Sequence, residues 1–153
     1  MALAITNRGK LRILQGFFRE SFLQTGFTIV LVTADNIPTV DTNLMSELTE
    51  IVAGNGYISG GVAISRDVIG FPTELENDAG DLSTITMKDV IFTASGGTLP
   101  LSGNGVKFAI LADNNATLAN REVFAFAEFT TVSILFDTQI LSIKNLNFTL
   151  KES

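Results

Sequence analysis

The chain lacks cysteine, histidine and tryptophan and has one tyrosine, Tyr57. Without cysteine it has neither disulfides nor thiolate nucleophiles nor zinc–thiolate sites. Without histidine it lacks the commonest general base and metal ligand, so Ser-His-Asp and Cys-His catalysis are excluded. The shortage of tryptophan and tyrosine weakens any site that would stack sugars or bases on aromatic rings.

Charged residues are also scarce, at 17% of the chain against roughly 25% in a typical soluble protein. Hydrophobic residues make up 46%, and the mean hydropathy is +0.35. With 10 basic and 16 acidic residues the net charge is −6, which disfavours nucleic acid as a partner. With so few charged side chains, the surface of the folded protein must be covered by Thr, Ser and Asn, or in part by contact with other subunits.

The length of 153 residues fits one domain, since domains commonly contain about 100–150 residues. The apolar start of the chain is short and is interrupted by Arg8, Lys10 and Arg12, so it does not resemble a signal peptide. No apolar run approaches the ~20 residues that span a bilayer. We expect a single domain over residues 1–153 that is made in the cytoplasm and has no membrane contact.

Residues 1–52 form the helix-containing part of this predicted domain. Over residues 7–23, apolar side chains recur at the spacing of an amphipathic helix. They are Leu11, Leu14, Phe18 and Phe22, with Phe17 at the edge. A buried strand is predicted over 27–33, which is β-branched and apolar on both faces. A second short helix is predicted over 43–52, where Gly54 ends it.

Residues 56–150 alternate short apolar stretches with Gly, Asn and Asp clusters, which is typical of strands and turns. The predicted strands are 62–65, 82–93, 106–112, 121–131 and 140–150, and a polar loop is predicted over 70–81. The parity of apolar residues shifts within 82–93 and again within 140–150, and we expect a bulge near Lys88 and Asp89. The spacing favours a mainly β protein, an antiparallel β-sandwich, over βαβ units.

Four of the ten basic residues lie close together on the predicted N-terminal helix: Arg8, Lys10, Arg12 and Arg19. Residues 1–20 hold four basic residues and one acidic residue, a charge of +3, whereas the remainder holds six and fifteen, a charge of −9. We predict that this basic segment docks on an acidic neighbour, such as the remainder of another copy. The alternative is a solvated helix face, because surface charge pairs add specificity more than energy.

Four carboxylates lie within eight residues of the predicted loop: Glu74, Glu76, Asp78 and Asp81. Oxygen ligands of this kind suit Ca²⁺, although the spacing is not that of an EF-hand and solvated side chains are the alternative. The same group is the only candidate for paired acid–base catalysis, and nothing near it provides a cleft with two unlike environments. We therefore predict no enzymatic activity and no cofactor.

From Gly56 onward the chain resembles a group of small tailed-bacteriophage virion proteins. The resembling segments are Asn55-Gly-Tyr57, 82–92, Val106-Lys-Phe-Ala-Ile-Leu-Ala-Asp113, Asn114-Asn-Ala-Thr-Leu118, Val123-Phe-Ala-Phe126, Asp137-Thr-Gln-Ile-Leu-Ser-Ile143 and Leu146-Asn-Phe-Thr-Leu150. They form a pattern of strands and turns rather than a catalytic motif.

The resemblance implies a jelly-roll-like β-sandwich subunit of a phage virion. Proteins of this group serve as capsid cement or decoration proteins, or as small tail and fibre-base components, and they work as homo-oligomers, often trimers. We expect a non-enzymatic protein that binds itself and a major capsid protein. A tail or baseplate component is the second interpretation. A carbohydrate-binding sandwich is the third, and the lack of tryptophan counts against it.

Overall fold

The computed structural model describes residues 3–19 and 25–151, and these are mainly β. The strands are β1 (Ala4–Ile5), β2 (Gly26–Val32), β3 (Val62–Ser65), β4 (Thr73–Asn77), β5 (Leu82–Thr86), β6 (Val90–Thr93), β7 (Val106–Asp113), β8 (Val123–Ser133), β9 (Ile140–Ile143) and β10 (Asn147–Lys151). The helix α1 spans Asn7–Arg19. All pairings between these strands are antiparallel, which confirms the predicted mainly β, antiparallel architecture.

The strands form three sheets of different size. The largest has the order β1-β8-β7-β2-β3, the second β10-β5-β4 and the smallest β6-β9. In the middle of the largest sheet β2 and β7 are buried on both faces, as the apolar run over 27–33 predicts. Other parts of the chain must therefore pack on both faces of this sheet.

One face of the large sheet packs against the smaller sheets. Leu31 and Leu111 from the large sheet share a buried cluster with Phe92 of β6, Ile143 of β9 and Leu146. The two layers thus enclose a common apolar core, an arrangement like that of a β-sandwich.

The other face is covered by the segment predicted as the second helix. Residues 43–52 contain a single 3₁₀ turn, Met45–Glu47, so the predicted helix is wrong. The Thr33 amide donates to the Thr49 carbonyl at 2.9 Å, and the Ile51 amide donates to that of Leu31 at 3.1 Å. The segment is extended because it pairs with the end of β2, beyond the residues that β3 covers.

The two parity shifts mark places where the chain changes sheets. The predicted strand over 82–93 is two strands, β5 and β6, and that over 140–150 is β9 and β10. β5 pairs with β10, and β6 pairs with β9. The segments 82–93 and 140–150 therefore change between the three-stranded and the two-stranded sheet at matching positions. The Met87 amide donates to the Leu146 carbonyl at 2.8 Å in the gap. The bulge predicted near Lys88 and Asp89 is replaced by this crossing.

The polar loop predicted over 70–81 contains a strand. Residues Thr73–Asn77 form β4, which pairs with β5 through a short 3₁₀ turn, Asp78–Gly80. All five residues of β4 are exposed, so the strand lacks the apolar alternation by which sequence analysis identifies strands. Glu74 and Glu76 therefore lie on a strand of defined register, whereas Asp78 and Asp81 lie in and after the turn.

Candidate interaction surface

The helix α1 lies on β8 with its apolar stripe turned away from the core. Leu11, Leu14 and Phe18 are 44%, 56% and 74% exposed. An amphipathic helix ordinarily places such a stripe against the body of the protein. The described helix ends at Arg19, so Phe22 and the last residues of the predicted helix lie outside the described part of the chain.

A glycine and a threonine let the opposite side of α1 approach β8. A Cβ atom at Gly9 would lie 2.2 Å from the backbone oxygen of Phe124, so any side chain there would push the helix outward. Thr6 is fully buried, and its Oγ1 accepts from the Gly9 amide at 2.9 Å, which caps the start of α1. The same hydroxyl donates to the Val123 carbonyl, which ties the cap to β8.

An ion pair fixes the helix farther along. Arg12 Nε donates to Glu122 Oε2 at 2.6 Å, and Arg12 Nη2 donates to Glu122 Oε1 at 2.7 Å, a bidentate geometry. The Arg8 guanidinium lies 3.5 Å from the same carboxylate. The hydrogen bond from Arg12 lowers the pKa of Glu122 below its usual range, and the same bond raises the pKa of Arg12. Both groups are therefore held charged.

The predicted basic stripe is divided by this arrangement. Arg8 and Arg12 face Glu122, whereas Lys10 and Arg19 are exposed. The ion pairs among the described residues include neither Lys10 nor Arg19. At helical spacing these two cations lie on either side of the outward apolar stripe.

A wide groove separates α1 from the three-stranded sheet. Its volume is about 1720 Å³, above the ~300–1,000 Å³ of typical small-molecule pockets, so it is large enough for a polypeptide segment. The floor is aromatic: the rings of Phe27 and Phe124 meet edge to face with centroids 4.9 Å apart, and Phe71 packs on Phe27. Ile85 and Leu150 contribute the wall on the side of the three-stranded sheet.

Glu74 and Glu76 line the same groove from β4. Glu74 lies opposite Ile85 in the register, so the carboxylate and the apolar wall share one face of the sheet. Within the described ranges, no three His, Cys, Asp or Glu side chains are grouped as a metal site would require. The acidic residues that sequence analysis weighs as a Ca²⁺ site are thus placed, in part, beside an apolar groove.

A second titratable cluster has a local structural role. Tyr57 Oη donates to Glu50 Oε1 at 2.7 Å and accepts from the Leu31 amide at 3.2 Å. Glu50 also accepts from the Gly60 amide at 2.6 Å. Burial raises the pKa of Tyr57, so the phenol stays protonated. The cluster anchors the segment after residue 50 to β2.

No local sequence pattern identifies Glu122 or Gly9 as a determinant of this surface. Arg12 and Glu122 are 110 residues apart, and no local pattern pairs them. Gly9 gives only the signal of a helix-weakening residue inside a helical pattern, which is weak evidence for close packing.

The chain matches no protein-family model and no curated protein sequence. α1 has 13 residues, and neither it nor any other helix in the described ranges has the length and apolarity needed to cross a bilayer.

Proposed function

We propose that this protein is a non-enzymatic structural subunit that works by binding other protein subunits through apolar surface. The observation that carries the proposal is the orientation of α1. The side of α1 that carries Gly9 and Arg12 packs on β8 and pairs with Glu122. These contacts hold the helix so that Leu11 and Leu14 face outward. A rigid apolar stripe of this kind is the usual anchor of a helix that docks on a partner.

The rest of the surface agrees with this role. Nineteen large hydrophobic side chains are exposed among the described residues, and some of them lie outside both α1 and the groove beside it. Ile58, Ile91 and Phe136 are examples, each more than half exposed. A contiguous apolar patch such as the stripe on α1 marks a protein–protein contact site, and the other exposed side chains add apolar surface to a protein with few charges.

For the assembly itself we propose a tailed-phage virion, with a jelly-roll-like sandwich acting as a capsid cement protein made in the host cytoplasm. The support is the resemblance of the segments over 55–150. A tail or baseplate component is the second candidate. Density in a map of the particle separates the two, since copies in the hundreds on the head favour cement and a handful at the tail excludes it.

A carbohydrate-binding function has less support. Its usual platform is an exposed tryptophan or tyrosine ring, and the chain has no tryptophan. The only tyrosine, Tyr57, is 2% exposed and bonded to Glu50, so it is not presented to a sugar. A glycan array that gave specific micromolar binding would nevertheless favour this function over assembly.

The test is the oligomeric state of the purified protein. Light scattering at micromolar concentration should give a mass above 16.4 kDa, and Leu11→Ser with Leu14→Ser should shift it toward the monomer. Ile37→Ser with Val40→Ser, at two other exposed positions, is the matched control and should leave the mass unchanged. A monodisperse monomer for the unmodified protein contradicts self-assembly. Substitution is preferable to deleting residues 1–23, because Leu3 and Thr6 belong to the buried interior.

A further inference from the structure

We infer that the groove between α1 and the three-stranded sheet receives the outward stripe of α1 from a second copy of this chain. The inference rests on the proposed function and names the partner surface for it. The helix stripe is Leu11 and Leu14 with the flanking cations Lys10 and Arg19. The acidic groove has Leu150 and Ile85 in its wall and Glu74 and Glu76 on β4.

The groove and the helix stripe match in shape and polarity. The groove is open, mostly apolar and larger than a small-molecule site, and an apolar helix face is a standard occupant of such a groove. Leu150 is 59% exposed in its wall, so part of the apolar surface is not covered by the described chain. The chain's own α1 contributes Ile13 to the groove while Leu11 and Leu14 point away from the core, so this helix does not fill the groove with its stripe.

Charge favours a second copy as the occupant, because the same chain carries both the basic helix and the acidic groove. Lys10 and Arg19 border the helix stripe and belong to none of the ion pairs among the described residues. The groove is lined by five carboxylates, two of them the exposed Glu74 and Glu76 on β4, and by two arginines, so its lining is acidic overall. The same sign difference runs through the chain, since residues 1–20 carry +3 and the remainder carries −9. Complementary potentials of this kind steer and orient an encounter, and like charges at the same place oppose it.

The contact joins two different patches, so it is heterologous. A heterologous contact generates a closed ring when the rotation closes and a filament when it does not. The proposal therefore predicts that every subunit of a ring both donates a helix and accepts one. This property makes a charge-exchange experiment possible.

The experiment uses two reversed sets. Set A is Lys10→Glu with Arg19→Glu, and set B is Glu74→Lys with Glu76→Lys; all four positions are exposed and outside the Glu122 ion pair. Set A alone or set B alone should weaken self-association about tenfold or more at low salt, measured by analytical ultracentrifugation. A chain carrying both sets should recover association to within about threefold, because its reversed helix then meets a reversed groove on the next copy.

Two controls distinguish an effect on this contact from a general effect of charge or a change in fold. Lys144→Glu, at an exposed position between β9 and β10, should leave association unchanged, and circular dichroism should show the same fold for all variants. An unmodified protein that stays monomeric overturns the proposed function and this inference together. If the unmodified protein associates but sets A and B associate equally well, or if the double set fails to recover, the inference is overturned and the proposed function stands. If set A weakens self-association and set B does not, the inference is also overturned. The helix stripe then binds a surface other than the groove.

Discussion

The five-stranded sheet and α1 are held by opposite kinds of contact. The central strands of the sheet, β2 and β7, bury apolar side chains on both faces. The helix has a threonine cap, a glycine at the closest approach and a bidentate ion pair with Glu122, while its leucines face outward. Apolar burial drives folding, and directed polar contacts fix orientation, so the two regions divide these tasks.

The division has a consequence for stability. Fully burying one large apolar side chain contributes about 1.5–3 kcal/mol, and the sheet contains many such residues. A charge-assisted hydrogen bond contributes about as much as one of them, so α1 depends on a few contacts. We expect α1 to open more readily than the sheet, and changes in the two regions should give different signatures.

The largest effect should come from the sheet. Phe108→Ala removes one of the largest buried side chains under the extended segment after β2 and should cost about 3–5 kcal/mol of the free energy of unfolding. Urea denaturation followed by circular dichroism measures it. The matched control, Phe136→Ala, concerns an exposed ring and should cost less than about 0.5 kcal/mol. Equal losses for the two variants would contradict the placement of the core.

The central strands could be predicted from sequence because their signal is local. The runs over 27–33 and 106–112 are apolar on both faces, and strands there need no knowledge of the rest of the chain. The helix predicted over 43–52 fails because its leucine spacing also suits an extended segment that pairs with the end of β2. β4 escapes detection because it is polar and exposed throughout.

Only part of the candidate surface could be predicted, because local patterns do not report contacts between residues that are far apart in the sequence. Helical spacing identifies Leu11 and Leu14 as one stripe and Arg8 and Arg12 as another. It does not say which stripe faces the body, since that depends on Glu122, more than one hundred residues away. The groove joins residues from α1, β4 and β10, and no local pattern brings these together.

An intermediate effect should come from the closest approach of α1 to β8. Gly9→Ala places a Cβ atom 2.2 Å from the Phe124 oxygen, and because that atom belongs to the backbone, the helix itself must move. We expect a loss of about 2–3 kcal/mol, despite a gain in helix propensity of up to about 1 kcal/mol. Hydrogen exchange should show faster exchange in α1 than in β7. Gly80→Ala, which meets mainly the flexible side chain of Asn77 and has no positive φ, is the control.

If Gly9→Ala is neutral or stabilising, α1 is not held at the distance described, and the contrast between the two regions weakens. If it destabilises β7 as strongly as α1, the helix and the sheet unfold as one unit. Both outcomes are measured in the same exchange experiment, since each region reports through its own amides.

The smallest effect, and the one that separates the regions by pH, should come from Glu122→Gln. Its carboxylate is 16% exposed and bonded to Arg12, so the substitution should cost about 1–2 kcal/mol at pH 7. The pKa of Glu122 is lowered in the folded state. Its contribution is therefore present above the unfolded pKa of about 4.3 and is lost as the pH falls through the lower folded value.

The difference in stability between the unmodified protein and Glu122→Gln should consequently shrink as the pH is lowered from about 5 toward 2. Urea titrations at several pH values measure it, and Glu128→Gln, an exposed partner of Lys107, should show little difference at any pH. A difference that stays constant between pH 7 and pH 3 would mean that shape rather than charge holds α1 on β8. In that case the ion pair would not distinguish the attachment of α1 from the packing of the sheet. The close approach at Gly9 would be the remaining difference between the two regions.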